Sequence, residues 1–161
     1  MSKSARWFAA AAAIVLLDQL TKWLVLARFA PGERLELTSF FNMVLVFNKG
    51  AAFSFLAAAP GWQTPLLAAF ALGAALVVSV LLLRSPERRM LCAGLALILG
   101  GAVGNLVDRL RFGQVVDFLD FHAAGWHWPA FNVADSVITV GAVLLILDGF
   151  RKHEGRASAS S

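Results

Sequence analysis

The sequence predicts a mainly α, integral membrane fold: a four-transmembrane-helix bundle with a small extracytoplasmic β-hairpin or sheet segment and a short interfacial loop or helix. Three observations lead there. Of 161 residues, 59% are hydrophobic and only 15% charged, with a mean hydropathy of +0.72, whereas a soluble domain carries about a quarter charged residues. Four stretches approach the roughly 20 apolar residues that a spanning helix requires. Lysines and arginines gather in excess on one side of those stretches.

The first span runs from about Trp7 to Ala27 and is interrupted by Asp18 and Lys22. Lys3 and Arg6 ahead of an alanine-rich run look like the start of a cleaved signal peptide. The apolar character continues past Lys22, however, and three more spans follow, so the segment is expected to stay. Next, Leu35 to Leu56 reads as β, with Phe40–Phe47 and Ala51–Leu56 flanking a hairpin turn at Asn48-Lys49-Gly50 in which Gly50 supplies a positive φ. The second span, Gly61 to Leu83, and the third, Met90 to Val107, hold no charge, and Pro86 breaks the short Arg84–Arg89 link between them. Leu110 to Phe131 carries Phe112, Phe118, Phe121, Trp126, Trp128 and Phe131, residues that favour the membrane–water interface. The fourth span, Val133 to Leu147, has Asp135 near its start. The whole chain, 1–161, is expected to form one domain.

Four spans put both termini on one side. That side holds Lys3, Arg6, Arg84, Arg88, Arg89, Arg151, Lys152 and Arg156; the other mixes Arg28, Arg34, Lys49, Arg109 and Arg111 with Glu33, Glu36, Asp108, Asp117 and Asp120. The first side is therefore cytoplasmic. This distribution explains a net charge of +4 and a pI near 10 without a nucleic-acid partner. Cys92 stands alone in an apolar run, and His122, His127 and His153 form no H-E-x-x-H or other ligand spacing. No disulfide, metal or cofactor is expected.

Ionisable groups inside a span cost about 2.5–3.5 kcal/mol each on insertion scales, so each needs a reason. Asp18 and Lys22, four apart on one helical face, are either an internal ion pair that lets the helix insert or the support of a site. Asp135 follows Asn132 by three, the spacing of a capping box. Yet it lies about 20 Å from Asp148 at the cytoplasmic end, in the outer leaflet, where a lone carboxylate is costly. Asp117, between Val115-Val116 and Phe118, is poorly explained as a solvated loop acid; Asp120, further into the loop, has the weaker case. Asp108 and Arg109 favour a structural role as an interface anchor or ion pair. Asn48 and Asn105 suit orienting a carboxylate or binding a peptide backbone, and Gly100, Gly101 and Gly104 offer a small-residue face for close helix packing.

Two carboxylates close together in a low-dielectric site share one proton, so that one acts as base and the other as acid. Asp117 and Asp135, both expected at the outer interface, are the candidate pair for activating water against a peptide carbonyl. No G-x-S-G or G-x-G-D segment competes, and Ser54 and Ser136 have no Lys or His at a persuasive spacing. A small transporter is the first alternative, but transporters favour broken helices in repeated halves, which the uninterrupted second and third spans do not offer. A non-enzymatic membrane scaffold is the second; it would not need the two acids.

Five segments, in order along nearly the whole chain, carry a family resemblance: Asp18-Gln19-Leu20-Thr21-Lys22, Asn48-Lys49-Gly50-Ala51-Ala52-Phe53, the run from Gly100 to Arg109, Val115-Val116-Asp117-Phe118, and Phe131-Asn132-Val133-Ala134-Asp135. The chain closely resembles the lipoprotein signal peptidases, or signal peptidase II, of bacterial inner membranes. The resemblance implies an aspartic endopeptidase that cuts before the diacylglyceryl-modified cysteine of prolipoproteins and is a target of globomycin. It implies a monomer in contact with membrane lipid, its active site near the periplasmic face. The implied catalytic residues are Asp117 and Asp135. Asp18, Lys22, Asn48, Gly50, Asn105, Asp108, Arg109 and Asn132 are implied as substrate-binding or supporting residues. The Phe121–Trp128 loop matches no family motif.

Overall fold

The computed structural model describes residues 3–50 and 61–157. Four helices, α1 (Ala5–Leu26), α2 (Gln63–Arg84), α3 (Arg89–Phe112) and α4 (Val133–Ala157), alternate with strands β1 (Arg34–Thr38), β2 (Phe41–Asn48), β3 (Val115–Ala123) and β4 (Trp126–His127). Each helix is long and apolar enough to cross a membrane, and side chains such as Leu16, Phe70, Leu76 and Phe150 project outward. That is the inside-out pattern expected when the solvent is lipid. The described residues thus form the predicted mainly α bundle with a small sheet.

Local chemistry sets the element ends. Pro65 sits in the first turn of α2, where its missing N–H is no loss. Helix α3 runs on to Phe112, beyond the expected end at Val107, and stops at Gly113, whose φ of 71° lets its N–H return to the Arg109 carbonyl at 3.0 Å. A hairpin precedes the Asn48–Gly50 turn. Its two strands are β1 and β2, joined at Ser39-Phe40, with Leu35 opposite Met43. The expected second arm, Ala51–Leu56, lies outside the described residues. The aromatic link after the third span is not a loop or helix but a strand pair, and β3 completes an antiparallel sheet of order β1-β2-β3-β4. Strands win there because Val115-Val116-Asp117-Phe118-Leu119 finds the free edge of β2, which satisfies backbone groups that a loop would leave bare.

Helix α3 is the hub, packing on α1, α2 and α4. Its small-residue face makes this possible: a Cβ on Gly100 would meet the Ile14 side chain at 2.7 Å, and one on Gly101 would meet the Ala134 carbonyl oxygen at 2.5 Å. Beside it, Leu82, Cys92, Leu95 and Ala11 fill a core between α1, α2 and α3, while Val25, Leu45, Val116 and Phe118 join the end of α1 to the sheet.

Between these two cores lies a buried ionic knot. Lys22 Nζ meets Asp108 Oδ2 at 2.7 Å, Asp18 Oδ2 at 2.9 Å and Asn105 Oδ1 at 2.9 Å, one acceptor for each of its three protons. The remaining carboxylate oxygens reach outward. Asp18 Oδ1 accepts the Ala134 N–H at 2.9 Å, Asp108 Oδ1 accepts from Gln19 Nε2 at 2.8 Å, and Asp108 Oδ2 also accepts the Val116 N–H at 3.1 Å. Helices α1, α3 and α4 and strand β3 are thereby fastened at one point. The reading of Asp18 and Lys22 as an internal ion pair is correct but incomplete, since Asp108 is its third member.

Two predictions follow from this packing. Gly101→Val drives a side chain into backbone that cannot yield and should cost about 1–3 kcal/mol, whereas Gly73→Val, with nothing within 4 Å, should leave the thermal unfolding midpoint in detergent unchanged. Lys22→Met strands two adjacent buried carboxylates and should cost about 3–5 kcal/mol, read as a lower unfolding midpoint that recovers partly when Asp18→Asn is added.

Candidate active site

At the junction of sheet and bundle, next to the knot, lies an open cleft of about 620 Å³, lined from β2, α3, β3, the segment before α4, and α4 itself. Two carboxylates line it: Asp117 from the beginning of β3 and Asp135 from the first turn of α4.

Asn132 ties the two together. Its Nδ2 donates to Asp117 Oδ1 at 2.7 Å and also lies 3.2 Å from both the Val116 carbonyl and Asn105 Oδ1. Its Oδ1 accepts the Asp135 N–H at 2.9 Å, and its own N–H points to Asp135 Oδ2 at 3.3 Å. The capping box expected from the spacing therefore exists, and it aims Asp135 at the cleft rather than competing with that placement. Asn105 extends the link: it accepts from Lys22 and donates through Nδ2 to Asp135 Oδ1 at 2.8 Å. The knot thus reaches Asp135 through a single side chain.

Asn48 holds the other carboxylate, donating from Nδ2 to Asp117 Oδ2 at 3.1 Å. Its position depends on a β-bulge. The register passes from Met43 opposite Leu119 to Val46 opposite Asp117, so β2 carries one extra residue across this interval. An extra residue reverses which side chains share a face. Without it Asn48 would point to the side of Val116 and Phe118; with it Asn48 shares the Asp117 face. Both Val44 and Leu45, the bulged pair, are consequently buried. Beyond the strand, the Asn48 Oδ1 accepts the Gly50 N–H at 2.9 Å, and Arg109 Nη2 donates to the Gly50 carbonyl at 3.1 Å. Arg109, expected as an anchor, therefore lines the cleft and clamps the Asn48–Gly50 turn.

Burial pushes the Asp117 carboxyl up to about 7, and the nearby charge of Asp135 adds to the rise; Asn48, Asn132 and Lys22 oppose it. Asp120 behaves differently. Burial acts to raise it too, but hydrogen bonds from Asn42 and His127 outweigh that and hold its carboxyl below the usual carboxylate range. It does not line the cleft, in keeping with its weaker claim.

The structure brings Asn48, Gly50, Asn105, Arg109, Asp117 and Asp135 to the cleft wall and sets Asp18, Lys22, Asp108 and Asn132 behind it. Sequence reasoning gave no site role to the rest of the wall, which includes Trp128 to Phe131 and, along α4, Ile138 and Thr139. The aromatic richness of the segment was a signal of interface, not of a site. Ser136 and Thr139 turn their hydroxyls back onto the carbonyls of Asn132 and Asp135, each at 2.9 Å, so neither presents an activated nucleophile. No cluster of metal-ligating side chains occurs among the described residues.

Comparison with known proteins agrees with this architecture. Residues 10–151 match the model of the signal peptidase (SPase) II family. The lipoprotein signal peptidase of Paraburkholderia phytofirmans is 58% identical over 94% of this chain and 88% of its own length. That of Burkholderia vietnamiensis is 55% identical over 94% of this chain and 91% of its own. A solved structure of a bacterial membrane enzyme, obtained by the in meso method, superposes with a TM-score of 0.82 at 25% identity, covering 94% of this chain and 91% of that one. With four membrane-length helices and this likeness along its length, the chain is a multi-pass membrane protein and belongs to the signal peptidase II family.

Proposed function

We propose that this protein is an aspartic endopeptidase that removes the signal peptide from diacylglyceryl-modified prolipoproteins, cutting before the lipidated cysteine. The observation that carries the reading is the pair Asp117 and Asp135. Two carboxylates from separate elements, bridged by Asn132, line one cleft at the end of an apolar bundle. Family membership and the names of the relatives support the substrate class.

In this mechanism the pair holds one proton. The ionised member takes a proton from water as the water oxygen attacks the scissile carbonyl carbon. The protonated member donates to the carbonyl oxygen, giving a neutral tetrahedral intermediate. Collapse breaks the C–N bond, and a proton passes to the departing amine of the cysteine. Asn132, Asn48 and Asn105 hold the carboxylates in place with neutral amides, which orient without adding the charge that would ionise both members. Arg109 and Gly50 line the cleft and are linked there by a hydrogen bond, which makes them candidates to meet a substrate backbone. The protein acts as a one-domain monomer in the bacterial inner membrane, with both termini cytoplasmic and the cleft toward the periplasm. The mixed charge around the sheet and the basic opposite end support that orientation. A lipid-anchored substrate then reaches the cleft laterally, without leaving the membrane.

The deciding experiment is cleavage of a diacylglyceryl prolipoprotein by purified protein in detergent, with unlipidated substrate as control. Wild type should cut only the lipidated form. Asp117→Asn and Asp135→Asn, shown to be folded, should each lose about 10³-fold or more in kcat; near-normal cleavage by either would sink the dyad. The kcat/KM profile should fall on its alkaline side near pH 7, where the proton of Asp117 is lost. Stability has a definite sign as well. An unfolded chain ionises Asp117 near its ordinary value of 3.8, while the folded chain keeps the proton to about 7. This group therefore stabilises the fold fully only below the lower value and less as pH climbs to the upper one. Asp117→Asn should raise the unfolding midpoint at pH 8 and change it little at pH 4.

A further inference from the structure

Beside the cleft, on the sheet, lies a second cavity of about 390 Å³. Phe40, Phe121 and Phe131 form a row of stacked rings with centroids 6.5 and 5.9 Å apart, and Trp126 and Trp128 meet edge-on at 5.9 Å. Apart from the indole N–H groups of Trp126 and Trp128, the polar side chain lining it is His122, whose Nε2 is engaged by Asn42 Oδ1 at 3.3 Å. Trp128 and Phe131 line both this cup and the cleft, so the two cavities share a wall.

We infer that the aromatic cup is the subsite for an acyl chain of the substrate's diacylglyceryl group. The inference rests on the lipid-modified substrate proposed above. The glyceryl group is borne by the residue next to the scissile bond, so an acyl chain starting in the cleft has only to pass the shared Trp128–Phe131 wall to enter the cup. A peptide is a poor occupant, because the lining offers carbon where the N–H and C=O groups of a peptide would need partners; an alkyl chain has no such groups. The volume falls within the range of small-ligand sites. The cup is also built beforehand. His127 lies between the two tryptophans and its Nδ1 donates to buried Asp120 at 2.9 Å, with Asn42 Nδ2 on the same carboxylate at 2.8 Å and Arg34 at 3.8 Å. The backbone N–H groups of Trp128 and Phe131 are held by the Phe121 and Leu119 carbonyls at 2.8 and 3.0 Å.

Phe40 and Trp126 line the cup but not the cleft, and both are more than half exposed, so the double variant Phe40→Ala/Trp126→Ala spares the catalytic machinery. The test measures KM and kcat for two prolipoprotein substrates differing only in acyl-chain length, in one detergent. Wild type should favour the long-chain substrate through KM. The variant should lose that preference, its KM for the long-chain substrate rising about ten-fold with kcat unchanged and the short-chain KM unmoved. An intact chain-length preference overturns the subsite. An equal rise for both lengths also overturns it, and identifies the aromatic face as a general membrane anchor. If wild type cuts neither substrate, the functional reading fails and this one with it.

Discussion

An ammonium ion buried among hydrocarbon must find an acceptor for each of its three protons, and Lys22 finds them on three different partners, Asp18, Asp108 and Asn105. Two anions around one cation leave the cluster with a surplus negative charge, which is spread onto the backbone N–H groups of Ala134 and Val116. The Ala134 N–H is one of the unpaired donors at the start of α4, where a carboxylate is favoured by the helix dipole. The knot therefore does more than cancel charge. It fixes where α4 begins relative to α1 and where β3 leaves α3, and those are the two elements that bear Asp135 and Asp117. Small residues are a condition of this arrangement: a Cβ on Gly104 would stand 2.5 Å from Asp18 Oδ2, so the carboxylate occupies the space that glycine leaves.

The sheet supplies the second half of the construction. Asp117 sits on a strand whose neighbours alternate between the core and the cleft, and the bulge in β2 brings Asn48 onto the cleft side. One strand can then hold Met43 opposite Leu119 and, five residues on, still present the Asn48 amide to Asp117 on the same face. A regular strand would put residues five apart on opposite faces.

The site also sets function against stability. A carboxyl held protonated up to about pH 7 is one that the folded state prevents from ionising, and at neutral pH this works against folding. The neutral amides of Asn48, Asn105 and Asn132 limit that cost without removing it, since full stabilisation of both anions would leave no shared proton for acid–base work. The knot, the glycine packing and the apolar core around Leu82 and Leu95 offset the difference.

By itself the sequence determined the solvent, the number of spans and the identity of the unusual residues. Each of these is a local property: a run of apolar side chains, a charge where none is expected, a glycine face at helical spacing. It also disclosed the capping box at Asn132–Asp135, because a cap is read over four consecutive positions. Only the tertiary structure decided that Asp108 joins Lys22 and that β1 pairs with β2 in a hairpin. The tertiary structure alone also revealed that the aromatic link is a strand forming a wall of the cleft and that a bulge turns Asn48 toward Asp117. These depend on register and on contacts between residues far apart in the chain, such as Asn48 and Asp117 or Asn42 and Asp120. Period-2 alternation states which residues share a face within one strand, but not which strand lies beside it, and a single inserted residue reverses the answer.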